Sequence, residues 1–563
     1  MTRLLAGFLA LSAANAAAEE LAPPPREVPA KPTRVPGGMP FTGLAPAKLV
    51  PDLCVYKYPV STASPQCQAF CDQGFGYFYS YVWMEAARSF ETALTHDPDC
   101  ALACLMLHRS LDKWGKTGTP DASPLFAVTG VAARGKLPDR FTLPTKDAAL
   151  AMAKDLMPRA SHREKLLIQS RLEEKGMWPD TPADVRKKKA QETLDLLLTL
   201  HEDDEEAWFW RAQIADGPNG AVPFYKALLR LNPLNPGANH ELVHFFENAK
   251  RPALGWPYAE GYMKSSPGIP HAFHMQAHLA MRIGKWEHTS DWSAKAIELQ
   301  QAYHRDCNVK PADDHQYYHH LDILTRSLVH DGRFAEAKEV RKAAESHGQH
   351  FRDSWWKMAL ATQDWAAAEK IVEFYQKSDK PRAAYLTALL ALEQGDAKKA
   401  SAAVDVLRQG DKKKATGKSA KDGELRQWEA QGRLMCATGQ GEAGVKLLKR
   451  AVDKTKADYN HHAWAGGGYY MESWGIGALD AGLAAEAEEA FQEALAHDSG
   501  SVRGALGLWA LCGKLGRTDE ADRYLKVAHR CWAKADAKDF ERLKAAFAAK
   551  AEKLAGGTTA AVE

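Results

Sequence analysis

The chain has 563 residues, 45% of them hydrophobic, which is enough to bury a sizeable core, and 73 Lys and Arg against 71 Asp and Glu leave a formal net charge of +2. That near balance, without a long basic run interleaved with aromatics, excludes general nucleic-acid binding. A chain of this length is either several globular domains or one continuous repeat array.

Residues 1–18 carry a single positive charge at Arg3, an apolar stretch from Leu4, and Ala16, Ala17 and Ala18 before Glu19, the pattern of a secretory signal with its cleavage site. The apolar run, about 15 residues, is short of the roughly 20 that span a bilayer, and no later segment supplies one. The mature chain is therefore expected to be exported, periplasmic or extracellular, with no transmembrane segment. Residues 19–48, rich in Pro and Ala, read as an extended linker without a core.

Residues 49–540 read as a helical repeat array. In the first clear repeat Phe70, Gly74 and Tyr77 sit on one helix, Ala86, Phe90 and Ala93 on the next, and Pro98 ends it, which is the tetratricopeptide (TPR) spacing. Small residues at Gly74 and Ala86 let the two helices approach, and the aromatics fill the space between hairpins. Near the end, Gly482, Ala487 and Ala494 recur 34 residues later as Gly516, Ala521 and Ala528. The expected fold is all-α, a TPR-type right-handed α-solenoid of stacked helical hairpins. Residues 118–147 lose the periodicity and read as an inserted loop, 410–424 as a solvated Lys-rich loop, and 541–563 as a capping helix with a frayed tail.

Eleven of the 21 histidines fall between His240 and His330, about three times an even share. His240 and His244 are four apart, as are His274 and His278, so each pair shares a helix face, and a shift of 34 residues relates the pairs. Equivalent helices of successive repeats stack side by side, which predicts one patch of four imidazoles. His315, His319, His320 and Asp322 open the next helical pair and are placed to close it. The i,i+4 spacing lets two imidazoles ligate one ion, and imidazole with carboxylate suits Zn²⁺ or Cu²⁺. The candidate ligands are His240, His244, His274, His278, His319 and Asp322; the competing reading is hydrogen bonding between stacked helices or binding of an acidic peptide.

Nine cysteines are an odd count for an oxidising compartment, so at least one is unpaired unless it bridges chains. Cys67 and Cys71 share a helix face, as do Cys100 and Cys104, and residues four apart on a helix are too far separated to bridge each other. A disulfide from one pair to the other, or a four-thiolate metal site, are the open alternatives. No C-x-x-C-H, G-x-S-x-G, phosphate loop or H-E-x-x-H is present, so no enzyme signature stands out and covalent haem is not expected. The run Gly466, Gly467, Gly468 reads as a loop before a helix, with Trp464, Tyr469, Tyr470 and Trp474 packing between helices.

Through YPVST and CQAFCDQGFGYFYSYVWMEAARSFETALTHDPDCALA, NHELVHF, HMQAHLAMRIGKWEH and YYHHLDILTRSLVHDGRFAEA, residues 57–530 resemble a family of bacterial exported TPR proteins. The resemblance implies the fold, an interaction role, and histidines at the positions of His240, His244, His274, His278 and His319. Where relatives carry a further histidine this chain has Asp322. Together these readings point to an exported scaffold that binds a protein or peptide partner in its concave groove, or alternatively to a metal-binding protein or metalloenzyme using Zn or Cu.

Overall fold

The computed structural model describes residues 38–116, 144–307, 309–311, 314–410, 418–458 and 468–554. The signal segment 1–18, most of the linker, residues 118–143 of the expected loop, 411–417, Trp464, Gly466, Gly467, and the tail from 555 lie outside the described residues, as does the side chain of His315. The described residues hold 25 α-helices and no strand. None of these helices is long and apolar enough to cross a membrane.

The chain forms two compact units. The first, the described residues of 1–245, 258–272 and 303–315, begins with α1 (Pro65–Tyr79), α2 (Trp83–His96), α3 (Ala101–Lys116), α4 (Lys146–Leu156), α5 (His162–Lys175), α6 (Arg186–Leu200), α7 (Glu205–Gln213) and α8 (Gly217–Leu231). Five helices then contribute residues to both units: α9 (Pro236–Asn248), α10 (Pro252–Ser265), α11 (Pro270–Arg282), α12 (Trp286–Cys307) and α13 (His315–His330). The second unit continues with α14 (Phe334–Ser346), α15 (Arg352–Thr362), α16 (Trp365–Ser378), α17 (Lys380–Glu393), α18 (Ala397–Gly410), α19 (Lys418–Ala437) and α20 (Gly441–Thr455). It closes with α21 (Tyr469–Asp480), α22 (Ala484–His497), α23 (Val502–Lys514), α24 (Thr518–Cys531) and α25 (Ala537–Ala551). Both units are stacks of helical hairpins, the all-α solenoid class.

The hairpins close at backbone-contact distance. A Cβ on Gly74 of α1 would lie 2.7 Å from the ring of Phe90 on α2, and one on Gly475 of α21 would lie 2.5 Å from the ring of Phe491 on α22. Ala86, Phe90, Ala93, Ala487, Phe491 and Ala494 are fully buried. At several corners the residue two before the second helix has positive φ, as at Gly482 (73°) and Gly516 (75°), and the following amide closes the preceding helix in a Schellman arrangement, Leu483 N–H donating to the Ala478 carbonyl at 2.9 Å. In the first hairpin the corner residue is Tyr81, at φ 60°, with Val82 N–H donating to the Tyr77 carbonyl at 3.0 Å.

Four boundaries differ from the sequence reading. Residues 38–48 are packed, not a coreless linker: Met39, Phe41 and Leu44 are buried, the amides of Phe41 and Thr42 donate to the Glu91 carboxylate, and the Ala47 amide donates to Thr92 at 2.8 Å. Residues 418–424 of the expected Lys-rich loop are the first turns of α19, where Ala, Lys and Glu favour helix and Glu424 pairs with Lys454. The inserted loop gives way to helix at Lys146, capped by the Thr145 side chain, and the capping helix starts at Ala537 and buries Phe540, Leu543 and Phe547.

Gly74→Ala forces a methyl group into the Phe90 ring and is expected to destabilise the chain by about 1–3 kcal/mol. Gly513→Ala, in α23 with nothing within 4 Å of an added Cβ, is expected to stabilise it by up to about 1 kcal/mol. Shifts of opposite sign in the urea unfolding midpoint check the pair.

Candidate metal centres

Asn235 sets the start of α9: its side chain accepts from Ala238 N–H at 2.9 Å, and Pro236 occupies the first helical position, where no amide donor is needed. This places His240 and His244 one turn apart. His271, near the start of α11, completes a group whose ligand nitrogens all lie within 4.8 Å of one another, wholly inside the first unit. His240 is fully buried, and His244 and His271 are partly exposed.

The hydrogen bonds orient this group. His240 Nδ1 lies 2.6 Å from the Tyr79 carbonyl oxygen, an acceptor only, so Nδ1 carries the proton and Nε2 carries the lone pair. That Nε2 is 3.1 Å from Nε2 of His271. Two nitrogens on one tetrahedral zinc at about 2.0–2.1 Å stand about 3.3 Å apart, so the two rings are already at chelating distance. Tyr79 is in turn pinned through its hydroxyl, which donates to Glu206, a buried carboxyl that also accepts from Tyr56 at 2.7 Å and Trp210 at 2.9 Å. Burial raises the Glu206 pKa to about 7, against the lowering effect of the two tyrosine hydrogen bonds.

Aromatic rings wall the group. Tyr262 stacks on His240 at 4.7 Å and 13°, and Tyr81 stacks on His244 at 5.6 Å and 6° while lying 4.4 Å from the His240 ring and 6.3 Å from that of His271. Tyr81 therefore touches all three imidazoles from a left-handed corner that costs a non-glycine residue about 1–2 kcal/mol. Its hydroxyl donates to Glu241 at 2.8 Å, which fixes the ring.

The second group, His274 and His278 of α11 with His319 of α13, meets the same 4.8 Å limit inside the second unit. His274 and His278 are buried, and their rings are 4.2 Å apart, with His319 at 4.7 and 5.5 Å from them. His278 Nδ1 donates to Glu247 at 3.3 Å, and Arg282 holds the same carboxylate oxygen at 2.7 Å. A carboxylate behind a histidine fixes the tautomer and raises the basicity of the other nitrogen, as in many metal sites. His320 is buried with its ring 4.3 Å from that of His274 but stands outside the group.

Each i,i+4 pair of the expected patch closes on a third histidine of its own unit, giving two triads. Asp322 joins neither: its carboxylate pairs with Arg326 one turn along α13 at 2.9 Å. His271 was missed, although its i+3 and i+7 relation to His274 and His278 was visible in the sequence. Two other histidines of the cluster pair with carboxylates, His304 with Asp314 at 2.7 Å and His330 with Asp498 at 2.9 Å. His330 also stacks on Trp286 at 3.8 Å.

Among the cysteines, Cys67, Cys71 and Cys100 form a third group within 4.8 Å. Cys104 is buried but outside it, so the four-thiolate arrangement is not built, and none of the four is disulfide-bonded.

No family model and no curated protein matches the chain. Similar solved structures include the TPR domain of P58(IPK), 10% identical over 82% of this chain and 98% of that one, with a TM-score of 0.21. The Cut9–Hcn1 hetero-tetramer of the APC/C is 12% identical over 82% and 76%, with a TM-score of 0.28. A monomeric IFIT1 mutant with Gppp-AAAA is 13% identical over 85% and 92%, with a TM-score of 0.23. At these scores the assignment to helical hairpins rests on the chain's own geometry.

Replacing Tyr81 with Gly removes the left-handed penalty, about 1–2 kcal/mol, together with the ring that covers three imidazoles. Y81G is expected to keep its helical circular dichroism while the His244 and His271 ring protons shift and exchange faster in NMR spectra. Unchanged histidine resonances would show that the ring has no part in the group.

Proposed function

We propose that this chain is a helical-repeat metal-binding protein that holds a borderline divalent ion, Zn²⁺ or Cu²⁺, at each of two three-histidine centres, His240/His244/His271 and His274/His278/His319. The carrying observation is the repeated convergence of three imidazoles within 4.8 Å, with an outward hydrogen bond from Nδ1 of His240 and of His278 that directs Nε2 inward. Three protein ligands leave a position for a fourth, which solvent or a bound partner supplies.

That open position supports a second reading alongside the first, a scaffold for a protein or peptide partner. Each triad has at least one partly exposed histidine, His244 and His271 in one and His319 in the other, through which a partner's side chain can complete the coordination. The pattern of residues 1–18 supports export as the setting of both roles.

Equilibrium dialysis against Zn²⁺ followed by elemental analysis is expected to give two equivalents. The H240A/H271A variant is expected to lose one and H274A/H319A the other. Glu247→Gln is expected to weaken only the second centre, by about ten- to a hundredfold. Metal content that is unchanged in both double variants would overturn the proposal and point to surface histidines such as His162 and His201, whose ring nitrogens are 3.1 Å apart.

A further inference from the structure

We infer that Cys67, Cys71 and Cys100 form a three-thiolate site for a soft monovalent cation of the Cu(I) class. Cys67 and Cys71 stand one turn apart on α1, and Cys100 immediately precedes Ala101, the first residue of α3. All three are fully buried, and their sulfurs lie within 4.8 Å of one another. Sulfurs around a three-coordinate ion at about 2.3 Å stand about 4 Å apart, so the group reaches that geometry by contracting less than about an ångström.

The ligand set selects the ion. Thiolates prefer soft cations, and Cu(I) is the soft ion that accepts three of them. Zinc takes four ligands, and Cys104, the available fourth sulfur, stands outside the group. The histidine centres use other residues and harder ligands, so this inference stands independently of them.

The protons agree with the geometry. Hydrogen bonds from Cys100 and Cys71 draw the Cys67 thiol down, while the contact with Cys67, with burial, pushes Cys71 and Cys100 up. The amides opening α3 beside Cys100 add favourable positive potential for the sulfur charge. Binding one Cu⁺ forms three Cu–S bonds, breaks the S–H bond of each sulfur that is protonated and releases those protons to solvent, with no change of oxidation state.

A disulfide is the competing fate of these sulfurs. Cys67 and Cys71, four apart on one helix, do not suit each other, and a bridge from either to Cys100 leaves the third sulfur beside it, where thiolate attack exchanges the bond. It also requires an oxidant to remove two hydrogens.

The test uses the full chain, reduced and metal-free, titrated with Cu(I) against a chromophoric Cu(I) chelator at neutral pH. Thiolate-to-copper charge-transfer absorption should saturate at one equivalent with release of thiol protons, since neutral imidazoles give neither signal. The absorption should be lost in C71S and in C100S and retained in C104S and in H240A/H271A. A band that persists in the C71S/C100S double variant would overturn the inference. So would a reduced wild-type chain that binds Cu(I) without a charge-transfer band or proton release, a readout that needs no variant to fold. A chain isolated two hydrogens lighter that shows no band after reduction would assign the sulfurs to a disulfide.

Discussion

Everything in this chain depends on helices packed so closely that a phenylalanine ring lies against a glycine backbone. The Gly74–Phe90 and Gly475–Phe491 contacts draw the two helices of a hairpin together until no Cβ fits between them. A connection this short turns through a left-handed residue, which glycine adopts freely at Gly482 and Gly516. Where the first hairpin places Tyr81 there instead, the backbone penalty is offset by the hydroxyl bond to Glu241 and the stack on the histidines. The tight corner delivers a ring to the first triad and, through the neighbouring Tyr79 carbonyl, the acceptor that orients His240.

Both triads follow one construction. An i,i+4 pair on a helix supplies two imidazoles, a third comes from a different helix, and one Nδ1 in each is tied outward, by a backbone carbonyl in the first and by Glu247 in the second. The ties differ in chemistry. A carboxylate makes its histidine a better donor to a metal than a neutral carbonyl does, and Arg282 tempers that carboxylate. The two centres are therefore expected to differ in affinity although their ligand types are the same. The thiol group adds a second ligand class, two sulfurs from α1 and one from the residue before α3.

The hairpins were legible because close helix packing constrains residue size: only Gly or Ala fits at positions such as Gly74, Ala86 and Ala487, and that constraint repeats along the chain. The histidine pairs were legible because helical periodicity sets their faces. What escaped was long-range. A shift of 34 residues relates the pairs, but the third ligand decides where each pair closes, and nothing local distinguishes His271, which joins α9, from His274 three residues on. Asp322 went the other way: Arg326 four residues later is a local partner that satisfies its carboxylate. The burial of residues 38–48 also depends on a distant group, Glu91, which accepts two of their amides. Tyr81 escaped because corner positions are read for glycine.

The central claim is that three imidazoles converge on one ion in each unit. Anomalous diffraction at the zinc edge from crystals of the zinc-loaded protein tests it most directly. Two peaks are expected, each about 2.0–2.1 Å from three histidine nitrogens, one among His240, His244 and His271 and the other among His274, His278 and His319. Zinc confined to exposed positions such as His162 and His201, with neither triad occupied, would contradict it.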